Sequence, residues 1–183
     1  MPDELIDIYT EDNKPTGKTM MKSLAHRKHL WHRTTHIWVY NSKGEILLQR
    51  RAASKIVFPN ILDVSAAGHI AAGEDEITGA ERELAEEVGI EVDKEKLEFI
   101  KTIASTIKIN KEITENEFHY IYLYSFEGAI TEMNIQIEEL SEVMWKPLDV
   151  FEKEITETPE DYAPHTEEYY RIILNKIKEK LEK

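Results

Sequence analysis

Three glutamates, Glu83, Glu86 and Glu87, stand together in the stretch AERELAEEVGI, and Arg82 comes directly before the first. On a helix, positions i, i+3 and i+4 adjoin. The three carboxylates would then share one face while Leu84 and Val88 turn toward a core. Like charges this close repel, and a bound cation relieves the repulsion. Hard divalent ions such as Mg²⁺ and Mn²⁺ favour carboxylate and carbonyl oxygens. The preceding SAAGHI leads from a strand-like segment into a glycine-bearing loop, where a backbone carbonyl can add a neutral oxygen. Arg82 can hold one carboxylate in position. In an acidic chain the same spacing by itself more often marks a solvated face, so the surroundings must decide.

Residues 75–88 read as the helix that carries these acids. Ile77, Leu84 and Val88 fall on one side, and Gly89 is a natural C-terminal stop. Upstream, ELIDIYTEDNKPTGKTM predicts strand, turn and strand, with Pro15 and Gly17 marking the turn. KSLAHRKHLWH is a short helix or loop. THIWVYNSKGEILLQRR predicts a hairpin about the turn Asn41-Ser42-Lys43-Gly44, and ILDVSAAGHI is a further β-rich stretch. Downstream, LEFIKTIAST and EFHYIYLYSF predict strands, and SEVMWKPLDVFEKE predicts a strand running into a short helix. The C-terminal HTEEYYRIILNKIKEKLEK is an amphipathic helix, with Tyr169, Ile172, Ile173 and Ile177 as its apolar side. It is expected to pack within the domain or across a homodimer. The mixture favours an α/β domain with a mixed sheet.

The chain has 183 residues, with 36 acids against 23 bases and a formal charge of −13. Such a surface repels nucleic acid, whose binding rests on basic residues meeting phosphates. No stretch approaches the roughly 18 apolar residues of a membrane span, so no membrane partner is expected. The acidic opening MPDELIDIYTEDNK does not read as a secretory signal, and the cytoplasm is the expected location. With no cysteine in the chain, thiolate metal sites and thiol nucleophiles are excluded.

The glutamates belong to a longer pattern. It runs Gly68, five residues, Glu74, seven residues, Arg82-Glu83-Leu84, one residue, Glu86-Glu87, one residue, Gly89-Ile90. This resembles the Nudix box, with every fixed position filled. The resemblance implies an α/β/α sandwich with a mixed β-sheet, built here as one domain over 1–183. Its core would span about 30–155, with an N-terminal hairpin extension and a C-terminal helix. It implies metal-dependent hydrolysis of a small-molecule diphosphate, a nucleoside diphosphate derivative or a related compound, with Mg²⁺ or Mn²⁺. By position, Glu83, Glu86, Glu87 and the Ala67 carbonyl look like metal ligands. Arg82 orients the glutamates, and Glu74 is a supporting residue and candidate ion-pair partner of Arg82. Gly68 lies at the substrate. Glu83 is the favoured proton acceptor, then Glu86, then Glu117 outside the box.

The flanks resemble a narrower branch, type 1 isopentenyl-diphosphate isomerase and its related hydrolases, over roughly residues 4 to 155. The carrying stretch is NSKGEILLQRRAASKIVFPN followed by the Gly-His of 68–69. That resemblance implies a grip on the diphosphate by Arg51 and Lys55; the plainer reading is a basic loop on an acidic protein. It also implies a metal held by histidines and two glutamates. The chain offers His26, His32, His69, Glu115 and Glu117, with His26 matching after a one-residue shift. Single histidines are more often structural than ligating. The isomerase has an acid-base cysteine before its Gly-His, where this chain has Ala67, and its box is degraded where this one is complete. Both differences point to hydrolysis. The competing readings are an isomerase-like enzyme and a diphosphate sensor without turnover. Trp31, Trp38, Phe58, Tyr120 and Tyr122 could stack a base, although alternating strand aromatics are more often core.

Overall fold

The computed structural model describes residues 3–182. In chain order its elements are β1 (Leu5–Tyr9), β2 (Pro15–Met21), α1 (Lys22–Arg27), β3 (Trp31–Tyr40), β4 (Glu45–Arg51), β5 (Leu62–Asp63) and β6 (Ala66–His69). Next come α2 (Glu76–Val88), β7 (Glu98–Lys108), β8 (Thr114–Ser125), β9 (Leu140–Pro147), α3 (Leu148–Glu157) and α4 (Glu167–Leu181). The β3–β8 pairing is parallel and the others are antiparallel. The sheet is therefore mixed, as expected.

Strand alternation decides which helix goes where. Ile37, Val39, Leu47, Tyr122 and Tyr124 face Ala80, Leu84 and Val88 of α2. The residues between them, Trp38, Ile46, Leu48, Ile121 and Leu123, pack against Phe151 of α3 and Tyr169, Ile173 and Ile177 of α4. Helices thus cover both faces, giving the α/β/α sandwich. On α4 the buried side is Tyr169, Tyr170, Ile173, Leu174 and Ile177, so it turns slightly away from Ile172. The helix packs within its own chain. Among the described residues, no helix is long and apolar enough to cross a membrane.

The hairpin over 35–51 forms its turn but not its ladder. Asn41 caps the turn, its side-chain oxygen accepting from the Lys43 and Glu45 amides at 3.0 Å. Only Tyr40 and Ile46 then pair. Both strands are apolar on both faces and behave as central strands, each with its own neighbours. β3 takes β8 and β6, while β4 takes β9 and β5. Ser65 bridges the split: the Val39 amide donates to its hydroxyl at 2.8 Å, and the hydroxyl donates to the Leu47 carbonyl at 2.6 Å. The N-terminal turn also sits earlier than Pro15 and Gly17 suggest. It runs over Thr10–Lys14 with Asn13 left-handed, and Pro15 opens β2 on an edge, where its missing N–H is tolerated.

Candidate active site

α2 starts at Asp75, whose side chain accepts from the Thr78 amide, and stops at left-handed Gly89 (φ 72°). These ends set which residues of the helix face β6. The Ala67 amide donates to Glu87 Oε2 at 2.9 Å, and the Gln49 amide group reaches the same oxygen at 3.4 Å. Glu83 lies over Gly68 so closely that a Cβ there would land on its carboxylate. The box glycine is therefore required by close approach, and its φ is not left-handed.

Arg82 joins these parts. It donates to both oxygens of Glu74 at 3.0 and 2.9 Å, to Glu83 Oε1 at 2.6 Å, to Glu86 at 3.3 Å and to the His69 carbonyl at 2.9 Å. The Glu74–Arg82 ion pair matches the reading from the sequence. Glu83 and Glu87 are buried, whereas Glu86 is mostly exposed. Burial, against the pull of Arg82, pushes Glu83 up to about 7. Burial and then the Glu83 charge push Glu87 well above the usual carboxylate range. Two buried acids are thus short of compensating positive charge.

A second group converges from four elements. His26 of α1, His32 of β3, His69 of β6 and Glu117 of β8 bring one ligand atom each to within 4.8 Å of one another. Among the described residues no other group of three or more acids or histidines gathers as tightly. The parallel register sets His32 beside Glu117, and the antiparallel register sets Thr34 beside His69. His32 Nδ1 lies 2.9 Å from the Leu30 carbonyl, which can only accept, so Nδ1 carries the hydrogen and Nε2 is left with its lone pair. His26 Nε2 lies 3.2 Å from both His32 Nε2 and His69 Nε2, and Glu117 Oε1 is 3.3 Å from His32. Burial, then the neighbouring histidines, push His26 down to about 3, and burial also lowers His69. Burial raises Glu117, but contact with the His32 and His69 rings outweighs it and holds this carboxyl well below its usual range. Three imidazole nitrogens and a carboxylate oxygen gathered this closely could hold a metal ion. Tetrahedral ligands at roughly 2.0–2.1 Å from a metal stand roughly 3.3 Å apart, close to the spacing here. Glu115 lines the same cleft outside the converging group, pushed up to about 7 by burial and the Glu117 charge.

Arg51 and Lys55 also line the cleft, but both have internal partners. Arg51 binds Asp63 at 3.1 Å and the Val57 and Phe58 carbonyls at 3.0 Å, holding the 52–60 loop with Phe58 and Asn60 left-handed. Lys55 pairs with Glu139. Trp38 and Tyr122 are core; Trp31 stacks on Phe118, while Phe58 alone of the five aromatics lines the cleft. Gln49, His36, His119, His165, Asp63 and Glu139 also line it, and sequence reasoning missed them. A signal existed for two: His36 continues the alternation from His32, and His119 follows Glu117 by two.

A split mixed sheet, covered on both faces, with a helix whose arginine ties its own buried glutamates to the loop glycine, defines the class of Nudix pyrophosphohydrolases. The NUDIX domain family matches residues 30–169, and the chain belongs to that family. An uncharacterised Nudix hydrolase of Clostridium acetobutylicum is 32% identical over 97% of this chain and 98% of its own length. An isopentenyl-diphosphate Delta-isomerase of Serratia proteamaculans is 28% identical over 88% of this chain and 86% of its own. Among solved structures, DR0079 of Deinococcus radiodurans superposes with a TM-score of 0.64 at 20% identity, covering 85% of this chain and 90% of that one.

Proposed function

We propose that the chain is a metal-dependent hydrolase cleaving the diphosphate linkage of a nucleoside diphosphate derivative or a related small molecule. The observation that carries this reading is the buried pair Glu83 and Glu87, held by Arg82 and the Ala67 amide against Gly68 at the cleft. Bound Mg²⁺ or Mn²⁺ would neutralise the diphosphate oxygens and make water more acidic. Glu83, Glu86, Glu87 and the Ala67 carbonyl would hold one such ion. Glu117, with His26, His32 and His69, would hold another, and these imidazoles favour Mn²⁺ or a softer transition metal over Mg²⁺.

Glu83 accepts the proton from the attacking water, its carboxylate lying directly over Gly68 at the cleft. Arg82 keeps Glu83 aimed, and Glu74 keeps Arg82 in place. Gly68 leaves the room that a side chain would take from Glu83. Arg51 and Lys55 contact the diphosphate by exchanging part of their bonding with Asp63 and Glu139. In labelled water the label should appear in a phosphate product, and a chelator should stop turnover; turnover by metal-free protein would overturn the reading. Glu83→Gln and Glu87→Gln should each lose at least about 10²-fold in rate, with Glu81→Gln and Glu91→Gln as controls.

The converging histidines and the isomerase relative favour a second reading, an isopentenyl-diphosphate isomerase-like enzyme. Isomerisation needs an acid and a base on opposite sides of the hydrocarbon. Glu117 can supply one, and Ala67 cannot supply the other. Rapid deuterium uptake from deuterated water into isopentenyl diphosphate, with dimethylallyl diphosphate formed, would establish it.

A further inference from the structure

Beyond His32 and Glu117, the same face of β3 and β8 carries Thr34, His36 and His119, and all three line the cleft. This wall is held rigidly. The Trp38 indole donates to the Tyr169 hydroxyl at 3.0 Å, and that hydroxyl lies 2.8 Å from His36 Nδ1. The His36 ring stacks on His119 at 4.1 Å, and His165 stacks on Tyr169 at 4.2 Å. Thr34 Oγ1 is 2.8 Å from His119 Nδ1. His119 is therefore fixed on one edge and one face, and its other nitrogen, Nε2, is buried without a hydrogen-bond partner.

Three more atoms of the cleft lining share that condition, Gln49 Oε1, Glu139 Oε1 and His165 Nε2; the last faces Asp63 Oδ1 at 3.5 Å, which leaves three to account for. The three residues are 3%, 1% and 8% exposed, for His119, Gln49 and Glu139 in turn. Each unpaired buried polar atom costs ~1–3 kcal/mol, and folded proteins carry few of them. Three around one cleft call for a ligand with hydrogen-bonding capacity. A hydrocarbon satisfies none of them. Gln49 Oε1 and Glu139 Oε1 accept only, so they need donors. His119 Nε2 donates or accepts according to its tautomer. A hydroxyl group meets either case, and it also donates to the two oxygens.

We propose that this wall binds the group carried on the diphosphate and selects a hydroxylated one, a sugar or polyol, over a hydrocarbon. The proposal rests on the diphosphate hydrolase reading above, and His119 is its specificity-determining residue. Ribose 5-diphosphate and isopentenyl diphosphate carry equal numbers of carbons on a diphosphate, so they separate hydroxylation from size. With the whole chain and Mn²⁺, kcat/KM should favour the ribose compound at least about 10-fold, since a site built to hydrogen-bond rejects an analogue lacking the group. His119→Phe keeps a ring against His36 but removes Nε2. It should collapse the preference, mainly by raising KM for the ribose compound, while His119→Gln should retain part of it. Unchanged thermal unfolding midpoints identify folded variants. Equal kcat/KM for the two compounds in the native chain, or an unchanged ratio in folded His119→Phe, overturns the proposal and leaves the hydrolase reading standing. If neither compound is cleaved with any metal, the hydrolase reading fails for both compounds. Calorimetric binding then decides the wall's role: tighter binding of ribose 5-diphosphate, lost in His119→Phe, supports it, and equal binding overturns it.

Discussion

At Gly68 a single methyl group separates function from folding. The three atoms nearest to its Cβ would all belong to the Glu83 carboxylate, the far end of a flexible side chain. Gly68→Ala should therefore keep its fold and unfold near the native midpoint. It should lose activity about as severely as Glu83→Gln, because Glu83 must swing away from β6. A large fall in thermal stability with activity retained would contradict this. Gly89 is the opposite case. It is left-handed, and a Cβ would lie 2.7 Å from the Asn134 backbone nitrogen. There the backbone must move, and the damage belongs to stability.

The split between β3 and β4 is an element-scale device. The strands part after one pair, and the gap admits β5 and β6, which deliver Asp63, Ala67, Gly68 and His69 to the cleft. Ser65 makes the split tolerable by replacing one rung of the missing ladder. Ser65→Ala leaves the Val39 amide and the Leu47 carbonyl buried without that partner, a cost of about 1–3 kcal/mol. Chemical denaturation should register this as a lower midpoint with an unchanged slope. A neutral Ser65→Ala would mean that the strands close up and pair directly, and that variant should then lose activity as the cleft narrows.

At the scale of the whole molecule, the cleft concentrates opposing proton linkages. Burial pushes His119 down to about 4 from an ordinary value of 6.5. As pH falls through 6.5 the unfolded chain takes up this proton, and the folded chain does so only near 4. Stability is therefore lost between those values, and the loss is complete below 4. Glu83 runs the other way in metal-free protein. Its folded value of about 7 exceeds the ordinary 4.5, so stability present below 4.5 is lost as pH rises through 7. The two trends oppose each other over one window. Differences between variants separate them. The native chain should lose stability relative to His119→Phe as pH drops from 7 to 4. Metal-free Glu83→Gln should gain on the native chain from pH 4.5 to 7. Denaturant titrations at three or four pH values check both, and parallel curves in either comparison would remove that residue from the linkage.

The local part of this protein was determined by its sequence. The helix over 75–88, its stop at Gly89, the carboxylate spacing with Arg82, and the Glu74 ion pair all follow from contacts within one turn or one loop, and such contacts need no knowledge of distant chain. The mixture of strands and helices likewise gave an α/β domain with a mixed sheet, and the resemblance to the Nudix box implied helices on both its faces. Other features depended on pairing between distant segments. His26, His32, His69 and Glu117 span 92 positions of sequence, and only the parallel register of β3 with β8 brings His32 to Glu117. Register is a tertiary choice, because a shift of one residue sends every side chain to the other face. The apparent hairpin opened for the same reason: apolar runs on both faces ask for two neighbours each, and the sequence does not say which. Arg51 shows the limit most plainly. Its charge suited a diphosphate, and the fold placed Asp63 and two loop carbonyls around it.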